Sequence, residues 1–391
     1  MGLLPDNIDY QSTTRLVSGE NSLNQLGDLV IDITRGKVLI VTDAGIKSSG
    51  HVERAVEVLK AKGIDVAVFD QVKENPTTRE VDACVEFART VHPELIVGLG
   101  GGSSMDTAKG CNFIYTNGGC MQDYWGVGKA SKEMLPLIAI PTTAGTGSEC
   151  QSFALIVDPA SHRKMACGDS KAAPTISILD PALTVTQPYH VSAATGIDAV
   201  AHALESAVTK KRNKVSAHYS TEAFKRVIHG LSKVLEFPEN LEARAEMQIG
   251  AAYAGRAIEN SMLGAAHASA NPLTARLGIT HGFAVGMMLP SVVRFNSVDE
   301  ASKKIYHHLA VESKLVNKDS DQEAAVNAIL KQLKILLEKV AAPYEAVKSQ
   351  LNANLMKSLA EDSQKEWTAT FNPREMTSDH FADLYRHTFN M

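Results

Sequence analysis

The feature that most constrains the fold is a change of hydrophobic pattern near residue 190. Before it, short apolar segments the length of a strand alternate with segments of helical periodicity. After it, nearly every patterned segment has the helical period. Strands that alternate with helices favour right-handed βαβ units and a mainly parallel sheet. We therefore predict an α/β domain over residues 1–190, followed by an all-α domain over residues 191–391.

The individual elements follow from the same patterns. The strands of the first half are predicted at Lys37–Asp43, Ile64–Phe69, Leu95–Leu99, Pro136–Ile140, Ser152–Val157 and Thr175–Leu179, with helices at Val52–Ala61 and Arg79–Val91. The helices of the second half are predicted at Gly196–Val208, Ser216–Phe237, Leu241–Ser261, Glu300–Val311, Asp321–Leu337 and Ser378–Phe389. Helix-breaking residues are expected between these helices, as at Pro238, Pro272, Gly282, Pro290 and Pro343.

Composition excludes several classes of protein. The net charge of −5 provides no basic field for nucleic acid or anionic lipid. No apolar run approaches the length of a membrane span, and the N-terminus lacks the basic and apolar regions of a signal peptide. The five cysteines are odd in number and form no CxxC pair, which argues against a disulfide framework or a thiolate zinc site. We therefore expect a cytoplasmic protein.

A glycine-rich segment, Gly98–Lys109, follows a predicted strand and opens a helix. Adjacent glycines at Gly100, Gly101 and Gly102 let the backbone approach a pyrophosphate, and the positive end of the following helix favours an anion. Ser103 and Ser104 are expected either to cap that helix or to donate to phosphate oxygens. The segment matches neither GxGxxG nor a Walker loop, so a plain tight turn stays an alternative.

Two further loops are expected at the same edge of the sheet. Asp43 ends an early strand, where a carboxylate can bind the adenosine ribose, although it precedes Gly100 by 57 residues instead of following it. The strand order must therefore differ from that of the usual dinucleotide fold. Pro141–Glu149 is a second polar loop after a strand, and its Thr142, Thr143 and Ser148 are candidate cofactor contacts. A solvated strand end and an ordinary loop are the respective alternatives.

A pair of candidate metal ligands lies in the second half. Asp198 and His202 are four residues apart in an otherwise apolar helical segment, which places both on one helix face. A buried carboxylate and imidazole need partners, and a divalent cation satisfies both. His267, among small residues, and His281, before Gly282, offer two more imidazoles, but spacing alone does not bring them to the first pair. A carboxylate with imidazoles and no thiolate is compatible with Fe²⁺, Zn²⁺ or Mn²⁺.

Several motifs occur in a recognisable order along the whole chain. They are Thr14–Gly19, Asn75-Pro76, Gly100–Asp106, Pro141–Glu149, Gly196–Glu205, the His267–His281 spacing and Asn372-Pro373-Arg374. In this order they resemble the iron-containing alcohol dehydrogenase family, which has a dehydroquinate synthase-like fold. The resemblance implies that the first domain binds a dinucleotide and that the second binds a metal.

The resemblance also implies roles for individual residues. The Asp-x3-His and His-x13-His spacings of the family are both present, which implies Asp198, His202, His267 and His281 as metal ligands. The expected metal is Fe²⁺, with Zn²⁺ as the alternative. The residues expected to bind the cofactor are Asp43, Asn75, Gly100, Gly101, Gly102, Ser103, Asp106, Thr142, Thr143, Ser148 and Lys164. Asp43 matches a position whose carboxylate favours NAD over NADP, and Phe153 matches a substrate-pocket position, with simple packing as its alternative.

One position departs from the family. Many members carry a second histidine four residues after the third ligand, where this chain has Asn271. Asparagine can form hydrogen bonds but does not titrate near neutral pH, so Asn271 is a candidate for substrate positioning but not for a general base.

The implied reaction is hydride transfer between a small alcohol and nicotinamide, in either direction, with the metal as Lewis acid. The expected assembly is a homodimer or a higher homo-oligomer. Three other functions stay open: a hydroxyacid–oxoacid transhydrogenase with bound nicotinamide, a lyase or cyclase of the dehydroquinate synthase type, and a non-catalytic protein that binds metal and nucleotide.

Overall fold

The structure is a computed structural model, and it describes residues 14–160 and 163–391. Residues 1–13, on which most of the argument against a signal peptide rests, lie outside this part. The chain forms two compact units, one ending at Gln187 and the other containing Pro188–Met391.

The first unit contains the strands. They are β1 (Arg15–Ser18), β2 (Val38–Val41), β3 (Val66–Phe69), β4 (Leu95–Gly100), β5 (Gly126–Val127), β6 (Leu137–Pro141), β7 (Phe153–Asp158), β8 (Arg163–Gly168) and β9 (Ile176–Leu179). Its α-helices are α1 (Leu26–Ile31), α2 (Ala44–Ser48), α3 (His51–Lys60), α4 (Thr78–Val91) and α5 (Gly102–Asn117). Each strand predicted from the sequence is confirmed, whereas β1, β5 and β8 were not predicted.

The main sheet has six parallel strands in the order β1-β9-β6-β4-β2-β3. Alternate residues of its central strands enter separate hydrophobic clusters on its two faces: Val38 and Ile40 join one, and Leu39 and Val41 join the other. Both faces are therefore covered, which explains why these strands are continuously apolar. The remaining strands, β5, β8 and β7, form a small separate sheet.

The order of the central strands brings distant loops to one edge. Strand β2 pairs with β4, with Val41 opposite Gly98, and β4 pairs with β6, with Gly100 opposite Pro141. The chain that leaves β2, β4 and β6 therefore emerges at neighbouring points. Asp43, the glycine loop and Thr142 follow these strands, so the predicted convergence of the three loops is confirmed.

The second unit is helical throughout its described elements. They are α6 (Tyr189–Val208), α7 (Lys214–Glu236), α8 (Leu241–Ser261), α9 (Ala265–Leu277), α10 (His281–Asn296), α11 (Glu300–Glu312), α12 (Gln322–Lys339), α13 (Tyr344–Lys348), α14 (Ala353–Lys365) and α15 (Ser378–Phe389). Helix α6 packs against α7, α8 and α10, and it is buried over most of its length. In the described chain, no helix combines the length and the apolar character that crossing a membrane requires.

The expectation that proline and glycine interrupt the chain was wrong at three positions. Pro272 lies inside α9, and both Gly282 and Pro290 lie inside α10. A proline inside a helix removes one backbone hydrogen bond and disturbs the preceding turn. Pro272, Gly282 and most residues around them are buried, so tertiary packing offsets the local cost. Pro188 is the N-cap of α6, where a missing N–H is tolerated, so this helix begins earlier than predicted.

Candidate metal centre and nucleotide-binding loops

Helix α6 provides the two candidate ligands that the sequence paired. Asp198 and His202 lie on one face of the helix, and their exposed fractions are 4% and 5%. The His202 Nε2 atom lies 3.5 Å from Asp198 Oδ1. Two polar side chains are therefore buried together in a helix that is otherwise rich in alanine and other apolar residues.

The other two histidines enter at the starts of helices. His267 is the third residue of α9, and His281 is the first residue of α10. The next residue, Gly282, lies so close to α6 that an added Cβ would be 2.0 Å from the carbonyl oxygen of Ala194. Ala194 precedes Asp198 by one helical turn. This close approach of two backbones holds the start of α10, and with it His281, near the centre of α6.

The four side chains converge. Asp198, His267 and His281 each offer one ligand atom, and these atoms all lie within 4.8 Å of one another. The rings of His202 and His267 stack with their centroids 4.8 Å apart, and the rings of His267 and His281 are 5.5 Å apart. His202 is outside the three-residue set but contacts two members of it. The structure thus makes the link that spacing alone could not make.

The polarity of the cluster fits a cation. Asp198 Oδ1 and His267 Nε2 are buried and 3.4 Å apart, and neither has a hydrogen-bond partner in the described chain. Buried polar atoms without partners are costly, and a cation between them would satisfy both. The donor set of one carboxylate and imidazoles is also one that Fe²⁺ and Zn²⁺ accept.

The electrostatics point the same way. Burial opposes ionisation of Asp198, but the neighbouring imidazoles, with His202 foremost, hold its pKa below the ordinary value. Burial alone would lower the pKa of His267, yet the carboxylates of Glu205 and Asp198 outweigh it and raise that pKa to about 9. The buried carboxylates therefore favour positive charge at this point, whether from a proton or from a metal ion.

The sequence analysis missed Glu205 as a functional residue. It lies on α6, seven residues after Asp198 and three after His202, and its side chain is buried. Its Oε2 accepts a hydrogen bond of 2.5 Å from His267 Nδ1. The available signal was a glutamate in the buried stretch Ala199–Val208 at a helical spacing from two candidate ligands. Residues of this kind orient metal ligands from behind.

The glycine loop lies at the end of β4. Gly100 has a φ of +149°, and a Cβ there would lie 2.4 Å from Ser104 Oγ, so only glycine fits. Gly101 is the N-cap of α5 and provides no side-chain acceptor, so neither Ser103 nor Ser104 caps the helix. The N–H groups at this helix start therefore form a place where a phosphate can bind.

Other predicted cofactor residues surround the loop. Asp43 caps α2 by accepting from the Ile46 N–H at 3.0 Å, and its Oδ2 lies 3.4 Å from Ser104 Oγ. Asn75 has a φ of +51°, and its N–H donates to Ser103 Oγ at 3.3 Å. Asp43 is thus a half-buried cap beside the glycine loop, not a solvated strand end.

The second loop packs against the first. A Cβ on Gly101 would touch Thr143, and one on Gly102 would lie 2.8 Å from Thr146 Cγ2. Thr142 donates its N–H to the Gly100 carbonyl at 2.9 Å, and its own buried hydroxyl has no partner in the described chain. The two loops therefore form one surface at this edge of the sheet.

A buried polar network lies beneath this surface. Ser148 Oγ donates to Asp106 at 2.7 Å and accepts from Lys109 Nζ at 2.8 Å. Lys109 also donates to the carbonyls of Ser148 and Phe153. Burial raises the pKa of Asp106, against the charges of Lys109 and Lys164. The side chains of Ser148 and Asp106 therefore form hydrogen bonds that fix the second loop.

The remaining predicted residues are placed as follows. Lys164 is half-buried in β8 opposite Val157. Phe153 is 9% exposed, and its ring covers Gly168 on the paired strand, so it has a packing role. Asn271 lies one turn after His267 on α9, where its Nδ2 donates to Glu366 at 2.8 Å.

A nucleotide-binding α/β unit and a helical unit with a carboxylate–imidazole cluster are the features of a metal-dependent, nicotinamide-linked alcohol dehydrogenase. Residues 13–181 match the model of the iron-containing alcohol dehydrogenases, and residues 192–389 match the model of the C-terminal part of the same family. The chain belongs to the iron-containing alcohol dehydrogenase family, and it is an oxidoreductase. The family predicted from the motifs is confirmed.

The relatives of this chain are named for several different substrates. An NAD-dependent methanol dehydrogenase of Bacillus methanolicus is 35% identical over 75% of this chain and 77% of its own length. A crystal structure of a 1,3-propanediol oxidoreductase superposes with a TM-score of 0.91 at 28% identity and covers 99% of both chains. The sulfoacetaldehyde reductase of Bifidobacterium kashiwanohense, solved with NAD⁺, has a TM-score of 0.87 at 27% identity and covers 98% of this chain and 99% of its own.

Proposed function

We propose that this protein oxidises a small alcohol, or reduces the corresponding aldehyde, with NAD and a metal held by Asp198, His202, His267 and His281. The observation that carries the proposal is the pair of buried atoms without hydrogen-bond partners, Asp198 Oδ1 and His267 Nε2, with a His281 nitrogen beside them. This arrangement is costly unless a positive charge lies there, and a bound metal ion would provide one.

A divalent metal bound there would supply a Lewis acid for the substrate oxygen. The chain's own contribution is to fix the ligands. Asp198 and His202 are fixed by the buried helix α6, and His281 by the contact of Gly282 with Ala194. Asp198 adds a negative charge that neutral imidazoles lack. We propose Fe²⁺ as the metal, with Zn²⁺ as the alternative, because both accept this ligand set.

Bound NAD would supply the hydride acceptor through its nicotinamide. The open helix start at Gly101, with Gly100, Gly102 and Ser103, is proposed to bind the pyrophosphate. Asp43 lies beside this loop, where its carboxylate can accept from the adenosine ribose and repel a 2′-phosphate, which favours NAD over NADP. Asn75, Thr142 and Thr143, which border the loop, and Lys164 are proposed to make the other cofactor contacts. Asp106 and Ser148 support the surface from beneath.

Asn271 is proposed to position the substrate. Its Nδ2 donates to Glu366, which orients the amide so that Oδ1 remains an acceptor. An amide oxygen in this place can accept from a substrate hydroxyl, but it cannot remove a proton. Phe153 is proposed to add an apolar wall for the substrate in addition to packing on Gly168.

The cell location and the assembly stay predictions. All five cysteines are free, and four of them are buried, which fits a reducing cytoplasm. A homodimer or a higher homo-oligomer is proposed from the family resemblance, and sedimentation of the purified protein tests it.

The decisive experiment is metal analysis of purified protein combined with a panel of small alcohols and aldehydes, each tested with NAD and NADP. We expect about one divalent metal per chain, loss of turnover with chelator, restoration by Fe²⁺ or Zn²⁺, and preference for NAD. Turnover that survives complete metal removal would contradict the proposal. Activity only with a second oxo acid present, from a cofactor that stays bound, would favour the transhydrogenase instead.

A further inference from the structure

Glu205 connects the candidate metal ligands Asp198, His202, His267 and His281 to the start of α9. It is 3% exposed and lies in the interior of α6. Its Oε2 accepts from His267 Nδ1 at 2.5 Å, and its Oε1 accepts from the Ala266 N–H at 2.6 Å. Both carboxylate oxygens therefore act as acceptors: Oε1 for the Ala266 N–H, and Oε2 for the imidazole and, at 3.4 Å, for the His267 N–H.

This contact determines which imidazole nitrogen is available. A carboxylate accepts but does not donate, so Nδ1 of His267 must carry the hydrogen. In a neutral ring the other nitrogen, Nε2, then keeps its lone pair, and Nε2 is the atom that lies 3.4 Å from Asp198 Oδ1. The hydrogen bond also fixes the rotation of the ring, because Glu205 and Asp198 hold its opposite sides.

We propose that Glu205 is a positioning residue that holds His267 in the tautomer and orientation needed for metal binding. The inference rests on the proposed function, since it takes His267 as a ligand. It adds a residue that touches neither the metal nor the substrate but controls the affinity of the site. Carboxylates behind a ligating imidazole typically change metal affinity ten- to hundredfold when they are replaced.

Glu205 also caps α9, so a purely structural role must be separated from positioning. Asn372 provides the comparison. Its Oδ1 accepts from the Ala265 N–H at 3.3 Å, at the same helix start, and its other side-chain hydrogen bonds go to Asn296 and Arg374. A Cβ on Gly264 would lie 3.1 Å from both Asn372 Oδ1 and Glu205 Oε1, so the two side chains flank one point of the chain. Asn372→Ala therefore perturbs the cap while leaving the hydrogen bond to the imidazole.

Glu205→Gln is the informative substitution because it preserves shape. Three N–H donors face the side chain, from the Ala266 backbone, the His267 backbone and the His267 ring, but glutamine has only one acceptor oxygen. If the oxygen stays with Ala266, the amide NH₂ faces Nδ1, and His267 must move its hydrogen to Nε2. That hydrogen then occupies the lone pair that binds the metal.

The experiment measures Zn²⁺ affinity by chelator competition for the wild type and for the Glu205→Gln, Asn372→Ala and His267→Ala proteins, together with the melting temperature of each without metal. We expect Glu205→Gln to lose about ten- to hundredfold in affinity. Asn372→Ala should stay within about threefold, even where the two melting temperatures fall equally. Equal affinities in wild type, Glu205→Gln and Asn372→Ala would mean that Glu205 is only a helix cap. That result would overturn the inference about Glu205 but not the proposed metal site. If His267→Ala binds as tightly as the wild type, the proposed metal site fails, and the inference fails with it.

A measurement on the unmodified protein covers the case in which Glu205→Gln does not fold. In Zn²⁺-loaded protein with ¹⁵N-labelled histidine, His267 should show a slowly exchanging hydrogen on Nδ1 and no hydrogen on Nε2. The ring is assigned through its connectivity to the His267 backbone amide, because His267→Ala is itself expected to lose the metal. A His267 ring that carries its hydrogen on Nε2 overturns the proposal.

Discussion

Gly282→Ala should damage the proposed metal site without altering any of its proposed ligands. The added methyl would lie 2.0 Å from the carbonyl oxygen of Ala194, whereas unbonded atoms settle at about 3.5 Å. Both partners belong to helix backbones, so no side-chain rotation relieves the contact. The start of α10 must therefore move from α6 by roughly 1 Å or more, and His281 moves with it.

The size of the effect follows from two terms. Overpacking typically costs about 1–3 kcal/mol, and alanine returns up to about 1 kcal/mol of helix propensity. The melting temperature without metal should therefore fall by only a few degrees. Metal–ligand distances tolerate only about 0.2 Å, so a shift of His281 should weaken Zn²⁺ binding at least tenfold, or about 1.4 kcal/mol.

Gly286→Ala is the matched control on the same helix. Its added methyl would lie 2.7 Å from Cγ1 of Ile197, so the contact is with a side chain and not with the backbone of α6. We expect this variant to lose some stability but to keep its Zn²⁺ affinity within about threefold. Chelator competition and thermal unfolding on both variants check the prediction. If Gly282→Ala binds Zn²⁺ as tightly as Gly286→Ala, the contact with Ala194 does not set the geometry of the site.

Three further predictions follow from single residues. His267→Ala should abolish both metal retention and turnover, and full activity with bound metal would remove it from the ligand set. Asp43→Gly should raise the NADP/NAD ratio of kcat/KM about tenfold, because it removes the repulsion of the 2′-phosphate. Asp43→Asn keeps the helix cap and should have the same effect. An unchanged ratio in both variants would contradict this role of Asp43. Burial raises the pKa of Glu149 to about 7, against the charge of Lys109, so the carboxyl favours the folded state below its ordinary pKa of 4.5. This contribution of about 3 kcal/mol is lost as the pH rises to about 7. Glu149→Gln should therefore remove the pH dependence of the free energy of unfolding, measured with urea between pH 5 and pH 8. A pH dependence that persists in this variant would assign it to another group.

The sequence predicted the first unit well because its strands are continuously apolar. Such segments belong to a parallel sheet covered on both faces, and the main sheet of this protein has this arrangement. The proximity of Asp43 to Gly100 could be predicted only from the strand order. The two residues are 57 positions apart in the chain, and the pairing of β2 with β4 brings them together. Strand β8 was missed because it begins with Arg163 and Lys164 and is stabilised mainly by its antiparallel partner β7.

The candidate metal ligands also fall into two groups: those that local sequence spacing pairs and those that only the tertiary structure brings together. Helical spacing alone paired Asp198 with His202. His267 and His281 lie on helices that were not predicted, because Pro272 and Pro290 indicated breaks where the buried packing in fact sustains α9 and α10. Their approach to α6 depends on contacts such as that of Gly282 with Ala194, which no periodicity encodes.

The packing at the start of α9 also gives a reason for the second buried carboxylate of the proposed site. His267 is the third residue of α9, and the positive end of a helix disfavours a cation near it. Glu205 accepts from the Ala266 N–H at this helix start and also faces the ring of His267, so its charge offsets the helix end. Asp198 would then be left to compensate a bound cation directly. Among the three groups of α6, Asp198 and His202 are the proposed ligands, and Glu205 would make the start of α9 compatible with a bound cation.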